Sequence, residues 1–440
     1  MKNLILFLFT FIIVQTQAQI LSEKERSEIR DQIIEDRLVN LLPQLMDRAD
    51  IDMWIVMSRE YNEDPVIRSM LPSKWFAARR RTILVFYRDK ANNLTERLAV
   101  STYDVGKHIK TAWDKNKFSN QWDALREIIV QRNPKKIGLN YSEHFGIADG
   151  LVLTDYNELM KVLPKNDQLK IVSAENLAIG WIETRTELEM KYFAQLVGIT
   201  HQVIAEAFSN SVITPDKTTT EDVQWWIRDK ITALGLETWF HPTIDIQRSN
   251  AKLESFINVF SKDTEGEVIV PGDLLHCDVG IQYLGLNSDV QEYAYVLKEG
   301  EKEVPEFLKG AMVQGNRLQD IFTSNFVTGK SGNEIFLNSL KDSKAEGTKP
   351  SIYSHPLGLY GHSAGAVFGM WDQQDGVPGT GDYTLFENTA YAIELNVSVF
   401  LPEWDREIRI MLEEDGMWAK GGFRYINGRQ TEIFKIYPKH

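Results

Sequence analysis

Cys277 is the only cysteine among 440 residues. A lone thiol cannot close an internal disulfide, and in the apolar run LLHCDVG it reads as a small buried hydrophobe rather than a nucleophile. Positive charge is also scarce. There are 49 Lys and Arg against 62 Asp and Glu, a formal net charge of −13. That balance disfavours nucleic acid and anionic membrane as non-specific partners. Beyond the first eighteen residues no apolar run is long enough to span a bilayer. No short-period repeat or low-complexity tract occurs, and the first half carries no nucleotide-binding glycine fingerprint. What remains is ordinary for a globular chain, 43% hydrophobic and 25% charged. The length suffices for two or three domains with a large core.

The first eighteen residues stand apart. Lys2 precedes the run LILFLFTFIIV, too short for a comfortable membrane span, and QTQA ends in small residues. This reads as a secretory signal peptide over 1–18, cleaved after Ala18. The mature protein is then expected to be exported, to the periplasm or the medium. Residues 21–45 carry Ile29, Ile33, Ile34, Leu38 and Leu42 at helical spacing. Strand-like runs follow at 52–58, 82–87 and 97–102, alternating with the helical patterns QWDALREIIVQ and GLVLTDYNELMKVL. This is the signature of an α/β module, expected over 19–175. From 176 to 440 the pattern changes. Capping-box pairs Thr186/Glu189, Thr218/Glu221 and Ser331/Glu334 mark helix starts. The runs LLHCDVGIQY, DVQEYAYVL, TAYAIELNVSVF and EIRIMLEE read as strands. The expected class is therefore α+β, with helices covering an antiparallel sheet. KDSKAEGTKP, at 341–350, reads as a solvated loop.

Five side chains carry the chemistry: Asp278, Asp289, His355, Glu394 and Glu407. Glu394 is the strongest on physical grounds, because a carboxylate inside AYAIELNVSVF is hard to explain as a solvated residue, and buried carboxylates are almost always paired or metal-bound. Asp278 and Asp289 flank the turn YLGLNS, and a hairpin would place them roughly opposite each other. Asp289 reads equally as a solvent-facing hairpin end, and Glu407, in the alternating run REIRIMLEE, as a solvent-facing strand residue. His355 and His362 flank a Gly- and Pro-containing turn in SHPLGLYGHSAG, and such a pair can be purely structural. Four carboxylates brought together repel one another unless cations neutralise them. Carboxylates with a single imidazole suit one or two ions such as Mn²⁺, Zn²⁺ or Co²⁺.

The order of these residues resembles the pita-bread metallopeptidases, the creatinase/aminopeptidase family that includes methionine aminopeptidase, aminopeptidase P and prolidase. DVGIQYLGLNSDVQEYAYV is similar to its D-x-G…S-D…T motif. SHPLGLYGHSAG is similar to H-x-x-G-L-x-x-H, and AIELNV to the x-x-E-P-G strand. The layout resembles aminopeptidase P and prolidase more than methionine aminopeptidase. The resemblance implies a creatinase-like α/β domain followed by a pita-bread catalytic domain. It implies two divalent ions, manganese first, with zinc or cobalt as alternatives. Asp278 would chelate one ion, Asp289 and Glu407 would bridge both, and His355 and Glu394 would complete the other. Glu413 and Glu414 are the alternatives to Glu407. Catalysis would rest on Glu394, His355 and His362, with His362 beside the scissile bond.

The implied activity is release of an N-terminal residue before proline, or cleavage of Xaa-Pro dipeptides. The implied substrate is a proline-containing peptide and the implied assembly a homodimer. Trp225, Trp226, Tyr360, Phe368 and Trp371 are candidate pocket walls or ordinary core. Three departures from the family pattern stand out. No histidine lies just upstream of Asp278, where His241 is a distant stand-in and His276 reads as a packed strand residue. Leu395-Asn396 follows Glu394 in place of Pro-Gly. With Glu407 as last ligand, Asp405 occupies the usual arginine position. Two other readings keep the fold: a metal-free C–N hydrolase like the creatine-hydrolysing relatives, which lack the ligand set, and a non-catalytic binding protein.

Overall fold

The structure is a computed structural model that describes residues 20–249 and 266–438. The expected leader at 1–18 lies outside the described residues. A capping box between Ser22 and Glu25 opens the first helix, Glu23–Asp36. One π-helical step over Arg37–Leu41 and a further helix, Leu42–Ala49, continue it. Six strands follow: β1 Met53–Arg59, β2 Arg81–Asp89, β3 Leu94–Ala99, β4 Lys110–Thr111, β5 Ile137–Leu139 and β6 Ile171–Ser173. They form a mixed sheet in the order β4-β3-β2-β1-β5-β6. Strand alternation gives it two apolar faces. Met53, Ile55 and Met57 pack with Trp122, Leu125 and Ile129. Trp54 and Val56 turn instead to Leu42, Leu45 and Trp181.

The rest of the chain opens with helices Glu187–Ala207 and Thr220–Ala233. The Thr186/Glu189 capping box forms as expected. The next one uses Thr219 and Asp222, one residue later than Thr218 and Glu221, because Thr219 is the residue with extended backbone before the helix. Strands β7 Glu237–Thr238, β8 Thr243–Gln247, β9 Leu274–Val279, β10 Ile281–Tyr283, β11 Leu286–Asn287 and β12 Val290–Val296 come next. Helices Glu306–Ser324 and Gly332–Ala345 precede β13 Lys349–Ile352, β14 His355–Leu357, β15 Thr389–Ala392 and β16 Leu395–Leu401. β17 Arg406–Leu412, β18 Asp415–Ala419, β19 Gly422–Tyr425 and β20 Phe434–Ile436 complete the set.

These strands make a β20-β12-β9-β8 sheet, a β13-β16-β17 sheet, a β14-β15-β18-β19 sheet and a small β11-β10-β7 sheet. All their pairings are antiparallel except β12 with β20. One apolar face, with Leu275, Cys277, Val290 and Ala294, packs on the Glu187–Ala207 helix. The Glu306–Ser324 helix covers β16 and β17 closely. A Cβ at Gly315 would sit 2.8 Å from Ile410 and Leu412, so only glycine fits there.

Two expectations are corrected. Residues 341–350 are not a loop throughout: the Gly332–Ala345 helix reaches into them and β13 starts at Lys349. The Ser331/Glu334 box and buried Ser339, Leu340 and Ser343 hold the helix beyond its charged surface. TAYAIELNVSVF is not one strand. It breaks at Ile393 and Glu394, and the chain passes there from the β14-β15-β18-β19 sheet to the β13-β16-β17 sheet.

Candidate functional site

The break at Glu394 has two counterparts. Between β17 and β18 the chain changes sheets through Glu413 and Glu414, and between β13 and β14 through Tyr353 and Ser354. The three crossings are bonded to one another: Ile393 N donates to Glu414 O at 3.0 Å and Tyr353 N to Glu394 O at 3.1 Å. β12 joins the same line where Gln291 N donates to Glu413 O at 2.9 Å. A sheet junction is where side chains from several strands can converge on one point. Asp278, Asp289, His355, Glu394 and Glu413 do so here, in overlapping groups whose ligand atoms lie within 4.8 Å of one another.

The structure thus brings together four of the five side chains singled out from the sequence. Glu407 is not among them. It lies on β17 opposite Phe400, which is 56% exposed, and pairs with Lys349 at the surface. Six residues further on, at the crossing, Glu413 is 1% exposed and occupies the place expected for Glu407. The register expectation also shifts. Asp278 faces Gln291 across the ladder, and Asp289 sits one diagonal step away.

The gathered carboxylates perturb one another. Burial, and then repulsion from Glu413 and other carboxylates, pushes Asp278, Asp289 and Glu394 well above the carboxylate range. Burial pushes Glu413 up to about 8. Burial likewise lowers His355 to about 4, so its ring is neutral. His355 Nδ1 lies 3.1 Å from the Pro356 carbonyl, to which it donates, leaving a lone pair on Nε2. That Nε2 stands 3.6 Å from both Asp289 and Glu413, too far for a hydrogen bond. His355 Nε2, Asp278 Oδ1, Asp289 Oδ1 and Glu413 Oε1 are all buried with no hydrogen-bond partner among the described residues. Orphaned donor atoms of this kind, all of types that ligate hard or borderline cations, fit divalent metal ions.

Gln291 was not anticipated. Its Nε2 donates to Glu413 at 2.7 Å and Glu394 at 2.9 Å, while its Oε1 pairs with His276 Nε2 at 3.0 Å. One amide therefore spaces two of the carboxylates. The sequence signal was its position two residues after Asp289, on the same strand face. His276 is a packed strand residue, as expected: it is buried, lies against Tyr293 and reaches Asp245 at 3.5 Å. Cys277 is buried and unpaired, its thiol pushed up by burial.

His362 is exposed, with its ring 4.6 Å from that of His355 and 5.2 Å from Trp239. Partial desolvation, then the neighbouring His355, lowers its pKa. Trp239 is fixed by its own N–H to Ser288 O at 2.9 Å and by Gly280 and Gly361, where any Cβ would collide with the indole. His241 is exposed, beside Trp225 and Arg228. Phe368 is core, whereas Trp371 is 45% exposed and lines a cavity of about 480 Å³ with Tyr353, Asn396, Ser398 and Arg409. With Glu413 as the last carboxylate, the residue two before it is Met411 rather than Asp405.

An antiparallel sheet junction that gathers four carboxylates and a neutral imidazole around unpartnered donor atoms defines a metal-binding protein of the hydrolase type. The sequence model described as "Metallopeptidase family M24" matches residues 191–424, more than half of the chain. The chain belongs to metallopeptidase family M24. Comparison with curated proteins returns no match. Among solved structures the chain is similar to an X-Pro aminopeptidase from Thermotoga maritima MSB8, with TM-score 0.62 and 15% identity over 89% of this chain and 99% of that one. A putative aminopeptidase P from Bacillus anthracis aligns with TM-score 0.60 and 15% identity, over 92% and 96% of the two chains. An Xaa-Pro dipeptidase from Bacillus anthracis gives 0.58 and 15%, over 94% and 100%. The two-part α+β architecture is thus that of the pita-bread peptidases.

Proposed function

We propose that the protein is a metallo-exopeptidase that removes an N-terminal residue preceding proline. The observation that carries this reading is the convergence of Asp278, Asp289, His355, Glu394 and Glu413, four of them with a buried unpartnered donor atom. Asp278, Asp289, His355, Glu394 and Glu413 would hold two divalent cations, manganese before zinc or cobalt for a site this rich in carboxylate oxygen. Bound there, the ions would polarise the peptide carbonyl and lower the pKa of water.

The protein's own groups do the rest. Glu394 Oε1 is engaged by Gln291, which leaves Oε2 to take a proton from water and deliver it to the leaving nitrogen. His362, exposed beside His355, can donate a hydrogen bond to the substrate carbonyl. Trp239 offers an aromatic wall for a proline ring. The cavity lined by Tyr353, Asn396 and Ser398 lies along β16, the strand that follows Glu394, with Asn396 and Ser398 on one side of it. Ser398 is four strand residues from Glu394, roughly 13 Å, room for more than a dipeptide. This favours aminopeptidase over dipeptidase.

The test is hydrolysis of paired tripeptides and dipeptides, with and without proline in second position, in added Mn²⁺. Cleavage of Xaa-Pro tripeptides in preference to Xaa-Pro dipeptides is expected; dipeptide preference would reverse the assignment. Glu394→Gln should abolish turnover while the metal-free protein melts no lower than the parent, because a repelled buried charge has been removed. Retained turnover would take Glu394 out of the proton pathway.

We also propose export, on the strength of Lys2 and the run LILFLFTFIIV. N-terminal sequencing of protein from the medium or periplasm should begin at Gln19. Recovery of an intact Met1 terminus from the cytosol would contradict it.

A further inference from the structure

Strand alternation that points Gln291 and Glu413 at the catalytic junction points their neighbours Glu292 and Glu414 the opposite way. On that reverse face lies the Glu187–Ala207 helix, and its Ala194, Gly198, His201 and Ala205 recur at helical spacing along a cavity of about 530 Å³. Glu292 lines the same cavity. His201, Glu292 and Glu414 offer ligand atoms that all lie within 4.8 Å of one another.

Two facts separate this group from an ordinary ion pair. Glu414 is already satisfied, accepting from His201 Nε2 at 2.9 Å and from Gln430 N at 2.6 Å. Glu292 is not: it is 5% exposed, and its Oε2 is buried with no partner among the described residues. A buried carboxylate oxygen left orphaned beside a second carboxylate is costly unless a cation or a proton comes to it. Burial, then the charge of Glu414, push Glu292 up to about 8 and outweigh the opposing pull of His201.

We propose that His201, Glu292 and Glu414 bind a further divalent cation, zinc or manganese by the chemistry of one imidazole and two carboxylates. Three protein ligands leave a coordination position open to the cavity, where water or a small anionic ligand would enter. Asn427 supports the imidazole. Its amide stands 3.3 Å from His201 Nδ1, and turned about its last bond it presents Oδ1 to a protonated Nδ1, freeing Nε2 for the ion. Because Glu413 and Glu414 are consecutive, this ion and the catalytic pair would hold one stretch of backbone from both sides.

The test is ion stoichiometry, with no substrate involved. Full-length protein is stripped with chelator, dialysed against Zn²⁺ or Mn²⁺ and analysed for metal per chain. The parent is expected to hold one ion more than Glu292→Gln and one more than His201→Gln. Glu394→Gln, altered on the catalytic side, keeps the extra ion. Glu292→Gln preserves shape and relieves repulsion, so it is expected to melt no lower than the parent when metal-free. Equal metal content in the parent and in folded Glu292→Gln overturns the proposal, whatever the catalytic centre binds. If His201→Gln does not fold, Glu292→Gln decides alone.

Discussion

Glu413→Gln is expected to abolish metal-dependent turnover, whereas Glu407→Gln should leave it unchanged. The two glutamates lie six residues apart, and both come from strand-like sequence, but their surroundings differ completely. Glu407 pairs with Lys349 at the surface, an arrangement worth about 0–1 kcal/mol and screened by salt. Glu413 is buried, accepts from Gln291 and presents an unpartnered Oε1 to the junction. Outer partners of metal ligands typically cost about 10–100-fold in affinity or activity when removed. Loss of a carboxylate at the centre should therefore cost at least about 100-fold, read both as kcat/KM and as metal per chain. Glutamine keeps the volume and the hydrogen bond from Gln291, so the fold is retained. If Glu407→Gln were the variant that lost metal, the junction would not be the site.

The second large effect is on stability. Glu189→Ala should lower the unfolding free energy by about 3–5 kcal/mol, the usual loss when one partner of a buried ion pair is removed. Glu189 closes the capping box on Thr186 and pairs with Arg37 at 2.8 Å and Arg185 at 3.0 Å, all three side chains being essentially inaccessible. Arg37 also donates to Thr184 O and Trp181 O, so this cluster fastens the first helix to the start of the catalytic half. Burial lowers Arg185 to about 10, still cationic at neutral pH, so removing Glu189 strands two buried guanidinium groups.

Burial acts to raise the Glu189 carboxyl, but Arg185 and Arg37 outweigh it and hold it below 4.5. A carboxylate depressed in the folded state adds stability that is complete above its unfolded pKa and disappears as pH falls through the folded value. The gap between parent and variant should accordingly be constant from neutral pH down to about 4.5 and narrow only below it. Denaturant unfolding across that range checks both statements. A loss under about 1 kcal/mol at pH 7 would show that the cluster is not holding the helix.

Much of the architecture was legible because it rests on local rules. The Thr186/Glu189 and Ser331/Glu334 boxes announce helices, since an N-cap hydroxyl and a carboxylate three residues on satisfy the same turn. Glu394 was readable for a different reason: an ionisable group inside an apolar strand demands a partner somewhere. Glu407 misled because REIRIMLEE alternates like any half-buried strand, and alternation alone does not say which of several glutamates reaches a junction. Gln291 had only its place on the face of Asp289 to mark it, and the group of His201, Glu292 and Glu414 carried no local signal, His201 and Glu414 being 213 residues apart.

The sequence alone determined the kind of chemistry available: aspartates, glutamates and one imidazole in a fixed order. Tertiary structure decided which carboxylate completes the set and which amide spaces it. The reason is geometric. Strand periodicity assigns a side chain to one of two faces, but only the points where the chain crosses between sheets determine where faces from separate strands meet, and those crossings depend on pairings between residues far apart in the chain.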